Sequence, residues 1–354
     1  MIPSALKKII AGADLSCAEA EASMEQILSG NATDVLIAAL LTALRMKGET
    51  VDELVGFATA MRNHATPIFP ASYNHPREIL VDTSGTGGDG CDTFNVSTAA
   101  AFVVAGAGVR VAKHGNRAAS SRCGSADVLE QLGLSLDQPP ERIRQAIEEI
   151  GVAFLFAPAI HTAMKYAMPV RRALGVRTVF NLLGPLTNPA GAVAQVVGVS
   201  APQFTELLAR ALAQLGVKRA FVVHGADGLD EISISAETHV AELSGGAVRT
   251  YKLSPEDFGL RRAEREAVAG GDAKHNAEII HKVLGRSLLY REHGAHRDIV
   301  LANASAALVA AGRAANFLEG VRLATESIDS GSARQKLDAL VRFTQSVAAN
   351  PATD

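Results

Sequence analysis

The sequence predicts an α/β protein in two parts, a small all-helical domain and a larger α/β domain with a mostly parallel central sheet. Three observations predict it. Apolar residues keep helical spacing through the first seventy positions, a short strand-like run appears near residue 79, and strand-like and helix-like segments alternate from there on. Such alternation builds a parallel sheet covered on both faces. A length of 354 residues suits two domains. Hydrophobic residues make up 48%, enough for a substantial core, which excludes a disordered chain.

The elements follow in order. Ser16 and Glu19 form a capping box ahead of Met24, Ile27 and Leu28, and Gly30 stops that helix. Leu36, Ile37, Leu40, Leu41 and Leu44 share one face of a second helix that ends at Gly48. Thr50 and Glu53 repeat the box for a third, which carries Leu54, Val55 and Met61 and ends before Pro67. Ile79–Val81, Val109–Ala112, Val193–Val199 and Ala220–Val223 read as buried strands. Ala99–Ala107 reads as an apolar helix, and Phe204, Leu207, Leu208, Ala211 and Leu215 stripe another. Pro139–Ile150 and His161–Leu174 read as helices that return to the helical domain, and the chain after 275 is again helical. The expected division is 1–72, continued by about 139–180, for the helical domain, with 73–138 and 181–354 forming the α/β domain.

Charge and cysteine content narrow the function. A net charge of −3 argues against a nucleic-acid binder with a broad basic face. Three cysteines show neither a disulfide framework nor metal spacing, so a reducing compartment is expected. Glu19, Glu21 and Glu25 follow Lys7 and Lys8 too soon for a signal peptide. Ala99–Val109, the longest apolar run, is too short for a membrane span of roughly 20 residues. A soluble cytoplasmic protein is expected.

Four constellations could carry chemistry. Gly85, Gly87, Gly88 and Gly90 follow a strand, and glycines there let backbone amides approach an anion. The order matches neither a P-loop nor a dinucleotide fingerprint. Asn95, Ser97 and Thr98 then open an apolar helix whose N-terminus attracts phosphate, with Asn95 in a capping position. Lys113-His114-Gly115-Asn116-Arg117, followed by Ser120, Ser121 and Ser125, places cations and hydroxyls past a strand end, where open α/β sheets bind ligands. Ser125 is also expected to cap the helix Asp127–Leu132. Asp227, Asp230 and Glu231 on one loop suit Mg²⁺ bridging to phosphate, with a solvated acidic turn as the bland alternative. Arg171 or Arg172 could pair with a substrate carboxylate, or could be plain surface arginines. His275, His281, His293 and His296 lack a ligand spacing and read as surface histidines.

Taken together, Gly85-Thr-Gly-Gly-Asp89, Asn95-Val-Ser-Thr98, Lys113-His-Gly-Asn-Arg117, Ser125–Gly133, Asn181-Leu-Leu-Gly-Pro-Leu-Thr-Asn-Pro189 and Asp230-Glu231 resemble the anthranilate phosphoribosyltransferases of the tryptophan pathway over nearly the whole chain. The Lys-His-Gly-Asn-Arg stretch is shared with pyrimidine nucleoside phosphorylases of the same fold, so the glycine loop and the Asn181–Pro189 run single out the transferase. The resemblance implies a nucleoside phosphorylase/phosphoribosyltransferase-type fold, a homodimer through the helical domain and Mg²⁺, two per subunit. The implied reaction joins anthranilate and phosphoribosyl pyrophosphate into N-(5-phosphoribosyl)anthranilate and releases pyrophosphate. By matching position, Gly85, Gly88, Asp89, Thr93, Asn95, Ser97, Thr98, Lys113, Asn116, Arg117, Ser120, Ser121 and Ser125 would contact the phosphoribosyl substrate. Ser97, Asp230 and Glu231 would serve the metal, and Gly85, Asn116 and Arg171 the anthranilate, with Arg171 and Asn116 positioning it. No general base is implied. His114 is the one candidate proton acceptor, with a structural hydrogen bond as its alternative role. Cys91 and the polar stretch Gly285–Arg297, with Tyr290, His293 and His296, depart from the family pattern. The rival readings are a pyrimidine nucleoside phosphorylase and a non-catalytic nucleic-acid-binding relative of the same fold.

Overall fold

The computed structural model describes residues 1–70, 79–118, 121–285 and 294–346. Four helices come first, α1 (Ile2–Ile10), α2 (Cys17–Leu28), α3 (Asp34–Lys47) and α4 (Val51–His64). Both expected capping boxes form, Ser16 with Glu19 and Thr50 with Glu53. The chain then runs β1 (Leu80–Gly85), α5 (Val96–Gly106), β2 (Arg110–Gly115), α6 (Ser125–Gln131), α7 (Pro140–Glu149) and β3 (Val152–Phe156). Next come α8 (Ala157–Ile160), α9 (Met168–Leu174), α10 (Phe180–Leu183), β4 (Ala194–Gly198), α11 (Gln203–Gln214) and β5 (Arg219–Gly225). An antiparallel pair, β6 (Thr238–Ser244) and β7 (Ala247–Leu253), precedes α12 (Ala273–Leu284), α13 (Ala295–Ala310), α14 (Phe317–Asp329) and α15 (Ser332–Gln345).

The strands form one sheet in the order β3-β2-β1-β4-β5-β6-β7. The first five are parallel, and β6 and β7 extend the sheet antiparallel. Two apolar clusters cover its two faces. α5, α6, α7 and α12–α15 pack on one face, while α11 and the N-terminal helices, joined by α9 and α10, pack on the other. β1 and β4 therefore lie covered on both sides, and they bury polar Asp82, Thr83 and Gln195 along with apolar Leu80, Val81, Val196 and Val197.

One expected grouping differs. α7 and β3 fall inside the 139–180 stretch assigned to the helical domain, yet Ile143, Ala146, Ile147, Val152 and Leu155 belong to the sheet's own core cluster. The helical pattern of α7 gave no clue to its partner, and β3 is only 5 residues long. Only the part from about 163 packs with the N-terminal helices, through Ala167, Val170, Phe180 and Leu183.

Candidate active site

The five parallel strands end on the same side. The chain steps outward from β1 through β2 to β3, then resumes at β4 on the other flank of β1. A cleft outside the carboxyl ends at such a reversal is the usual ligand site of an open α/β sheet. The glycine loop leaves β1 there. Thr86 N–H donates to Gly198 O (2.9 Å) and Gly87 N–H to Asp230 Oδ2 (2.9 Å). Gly87 and Gly88 have φ of +62° and +71°, a region open to glycine at little cost. Glycine at 198 is required for a different reason. A Cβ there would lie 1.5 Å from the Asp230 carbonyl oxygen, so only glycine lets the loop after β5 lie against the end of β4.

The carboxylate loop, the start of α5 and the end of β2 converge on this point. Ser97 N–H, in the first turn of α5, donates to Glu231 Oε1 (3.1 Å), and Asp230 N–H reaches Asp89 Oδ2 (3.4 Å). Lys113 is only 4% exposed, and its Nζ donates to the Thr83 carbonyl and to Ser97 Oγ (3.1 Å). Burial pushes Lys113 down, opposed by Asp82, Glu231 and Asp230. Burial, then the nearby charge of Asp89, pushes Asp230 up to about 7. Burial, then Asp230, raises Glu231 well above the usual carboxylate range. Both acids keep some solvent contact, but they sit deep enough in the cleft for desolvation to dominate. Asp230 and Glu231 are hard oxygen donors of the kind Mg²⁺ takes together with waters, although no group of three or more His, Cys, Asp or Glu placed to hold a metal occurs among the described residues; a bound Mg²⁺ would favour their ionised forms. Asp227 does not join them. Its carboxylate accepts from Ser233 Oγ (2.6 Å) and Ser235 Oγ and ties the loop to itself.

The segment after β2 is more self-contained than expected. The Arg117 guanidinium is paired with Glu130 (2.5 Å) and Asp127 (3.1 Å), so phosphate would have to compete with two carboxylates. Asn116 Oδ1 accepts the Arg117 N–H (2.7 Å). The expected cap at Ser125 is not made. α6 begins at Ser125, and the Asp127 carboxylate accepts the Gly124 N–H (2.9 Å) while Ser125 Oγ turns back to Asn116 O (3.3 Å). Asn95 likewise does not cap α5. Its side chain instead donates to Cys123 O (3.3 Å) and accepts from Asn276 (3.0 Å), leaving the helix start to Glu231. Thr93 bridges Ala269, so the glycine loop's far end rests on a segment that carries no recognisable motif. Thr98 Oγ1 is buried without a hydrogen-bond partner among the described residues. Ser121 makes a long contact to Cys123 O (3.5 Å), while Ser120, Tyr290 and His293 lie outside the described residues.

Two further groups line the approach from β3. His114 Nδ1 faces Gly184 O (3.2 Å), which can only accept, so that nitrogen carries the proton. Its ring lies 5.1 Å from that of His161, and the Nε2 atoms of both are buried without partners among the described residues. Arg171, on α9, has its guanidinium 5.1 Å over the Phe180 ring and 3.7 Å from Met168 Sδ, with no carboxylate partner among the described residues. Arg172 is exposed. Arg177 is the residue that sequence reasoning missed. Its Nη1 donates to Gly87 O (3.1 Å) and Gly88 O (2.6 Å) across 90 and 89 positions of chain, a separation that no local pattern encodes. A cleft of about 250 Å³ beside it is lined by Arg45, Gly88, Asn181, Ser200 and Phe204, among others.

Known proteins share this architecture. The family model for the glycosyl transferase family a/b domain matches residues 77–334, and that for the helical bundle domain of the same family matches residues 3–65. The chain is 55% identical to anthranilate phosphoribosyltransferase of Symbiobacterium thermophilum, over 98% of this chain and 99% of that protein. The crystal structure of anthranilate phosphoribosyltransferase from Thermus thermophilus superposes with a TM-score of 0.89 at 47% identity, covering 96% of this chain and 99% of that one. The Saccharomyces cerevisiae enzyme, solved in complex with PRPP and Mg, superposes with a TM-score of 0.87 at 29% identity, covering 98% of both chains.

Proposed function

The chain belongs to the anthranilate phosphoribosyltransferases, and from that premise we propose that the cleft described above performs the family's reaction with the residues it gathers. The protein transfers the phosphoribosyl group of 5-phosphoribosyl 1-pyrophosphate to the amine of anthranilate, in L-tryptophan biosynthesis. The observation that carries the site assignment is the meeting of the Gly85–Gly90 loop with Asp230 and Glu231 at the carboxyl ends of β1 and β5. That junction offers amides for a diphosphate and carboxylates for its metal.

Ser97, Asp230 and Glu231 would hold Mg²⁺, two ions per subunit in this reading. When bound, Mg²⁺ supplies positive charge against the charge that builds on the departing pyrophosphate. Amides of the glycine loop add to that stabilisation. Lys113, beneath the loop, balances the carboxylates from within the fold. We assign Gly85, Gly88, Asp89, Thr93, Asn95, Ser97, Thr98, Lys113, Asn116, Arg117, Ser121 and Ser125 to the phosphoribosyl substrate. Gly85, Asn116 and Arg171 are assigned to anthranilate. The anthranilate amine is an aniline, unprotonated at neutral pH, so it needs placement more than a strong base. His114 takes the structural role in this reading: its Nδ1 donates to Gly184 O (3.2 Å), and burial and then His161 push its protonation down to about 3. Arg171, without a carboxylate partner of its own among the described residues, is the fork for the anthranilate carboxylate.

Within the same reading the helical domain is 1–72 continued by about 163–186, and two chains associate through it. Ile10, Val35, Met46 and Val176 are exposed apolar side chains on or beside α1, α3 and α9, which supports such an interface. No helix among the described residues is long and apolar enough to cross a membrane. A cytoplasmic location fits the biosynthetic role. Replacing Asp230 and Glu231 by Asn and Gln tests the metal assignment. Turnover should fall at least tenfold at limiting Mg²⁺, and wild-type rates at every Mg²⁺ concentration would reject it.

A further inference from the structure

Arg177 is not a member of any motif in the sequence, yet it reaches the glycine loop from 89 and 90 positions away and holds two successive carbonyls, while Thr86 Oγ1 (3.4 Å, to Gly87 O) and Cys91 Sγ (3.5 Å, to Asp89 O) make only long, local contacts to the loop's carbonyls. The backbone has no cis peptide bonds. In a trans peptide the C=O and the next N–H point in opposite directions. Holding Gly87 O therefore turns the Gly88 N–H away from Arg177, and holding Gly88 O does the same for the Asp89 N–H. Neither of these N–H groups has a hydrogen-bond partner among the described residues. The preceding amide, that of Gly87, is fixed separately by Asp230 Oδ2 (2.9 Å). The loop is thus held by its carbonyls on one side and by the Gly87 amide on the other. The grip also explains the residue type at 88. A Cβ there would lie 2.2 Å from Arg177 Nη1.

We propose that Arg177 is a positioning residue for the diphosphate of the donor substrate. It orients the Gly88 and Asp89 amides as a preformed anion cradle, and it does so from the segment that follows α9, the helix carrying Arg171. Unheld, a loop with three glycines at positive φ would sample many orientations, and binding would have to order it. A single nitrogen, Nη1, makes both bonds while Nη2 is buried without a partner among the described residues, and Asp230 and Asp89 lie close enough to favour the charged guanidinium there. The proposal rests on the assignment of this loop to phosphoribosyl pyrophosphate.

The test has two arms, applied to Arg177→Ala and to Arg177→Lys as the gentler change. In the ligand-free protein, hydrogen–deuterium exchange of the peptide spanning 85–91 should quicken several-fold in the Ala variant, with exchange elsewhere unchanged. Calorimetry with phosphoribosyl pyrophosphate and Mg²⁺ should show affinity about tenfold weaker, the size expected for hydrogen bonds from a charged donor. The anthranilate KM should move less than twofold, and Lys, with the charge on a flexible stem in place of the rigid planar guanidinium, should restore only part of both losses. Unchanged exchange in the 85–91 peptide would overturn the proposal even if affinity fell, because a residue touching only the ligand leaves the free loop alone. Full rescue by Lys would overturn it in favour of charge alone. A wild-type protein that does not bind the donor would instead reject the functional reading, leaving the exchange arm to judge Arg177.

Discussion

His114 and His161 are each 6% exposed and lie with their ring centroids 5.1 Å apart. Burial, with His161 adding to it for His114, holds their protonation down to about 3 and about 4. Below pH 6.5 the unfolded chain binds protons that the folded rings refuse, so this pair loses stability as pH falls toward 4 and keeps it in full above 6.5. At about 1.4 kcal/mol per pH unit, moving from pH 7 to 5 costs about 2 kcal/mol per ring. Asp82 and Asp230, pushed up to about 6 and about 7 chiefly by burial, act in the opposite sense and gain stability as pH falls. The readout is therefore a difference. Urea unfolding at pH 7 and 5 should show that His161→Asn removes about 2 kcal/mol of acid sensitivity, whereas an identical pH dependence in both proteins would refute the neutral-ring account. At Arg171 the expectation is kinetic. Arg171→Ala should raise the anthranilate KM at least tenfold and that of phosphoribosyl pyrophosphate little, and equal effects on both would end the carboxylate assignment. Residue types were readable in advance at these positions, but partners were not. The sequence offered Arg117 and Lys113 as phosphate-binding cations. Only the fold shows one paired with Glu130 and the other buried under β1.

Among the elements, the join of α3 and α4 depends on one carboxylate. Glu53 is fully buried and accepts from Leu15 N–H (3.0 Å), Thr50 N–H (2.9 Å) and Lys47 Nζ (3.0 Å). The capping box predicted the Thr50 contact; nothing local announced Leu15 or Lys47. Glu53→Ala strands three donors, one of them charged, and should cost roughly 2–4 kcal/mol in chemical denaturation. A loss under 1 kcal/mol would show that water replaces the carboxylate. Helices with caps and apolar stripes were legible because their signals lie within a few residues. β6 and β7 were not. They sit at the sheet's antiparallel edge, and β7 is mostly solvent-facing, so no buried apolar run marks it. α1 escaped notice as well, although Ile2, Ala5 and Ile9 bury one side of it against the N-terminal cluster.

For the molecule as a whole, topology does what no single motif could. Five parallel strands bring residues from 85 to 231 to one edge of the sheet, and the N-terminal helices with α9 close that edge from the side. The same helices leave Val35 77% and Met46 83% exposed on α3. If they form the dimer contact, Val35→Glu with Met46→Glu should shift the mass in light scattering from two chains to one without unfolding the protein. A wild type that already runs as a single chain would remove the dimer from the account. The central claim concerns chemistry at the shared edge. Its most direct test follows anthranilate fluorescence in the presence of phosphoribosyl pyrophosphate, with and without Mg²⁺. The account predicts loss of the anthranilate signal with Mg²⁺ and little change once the metal is chelated. A steady signal with both substrates and Mg²⁺ present would contradict it.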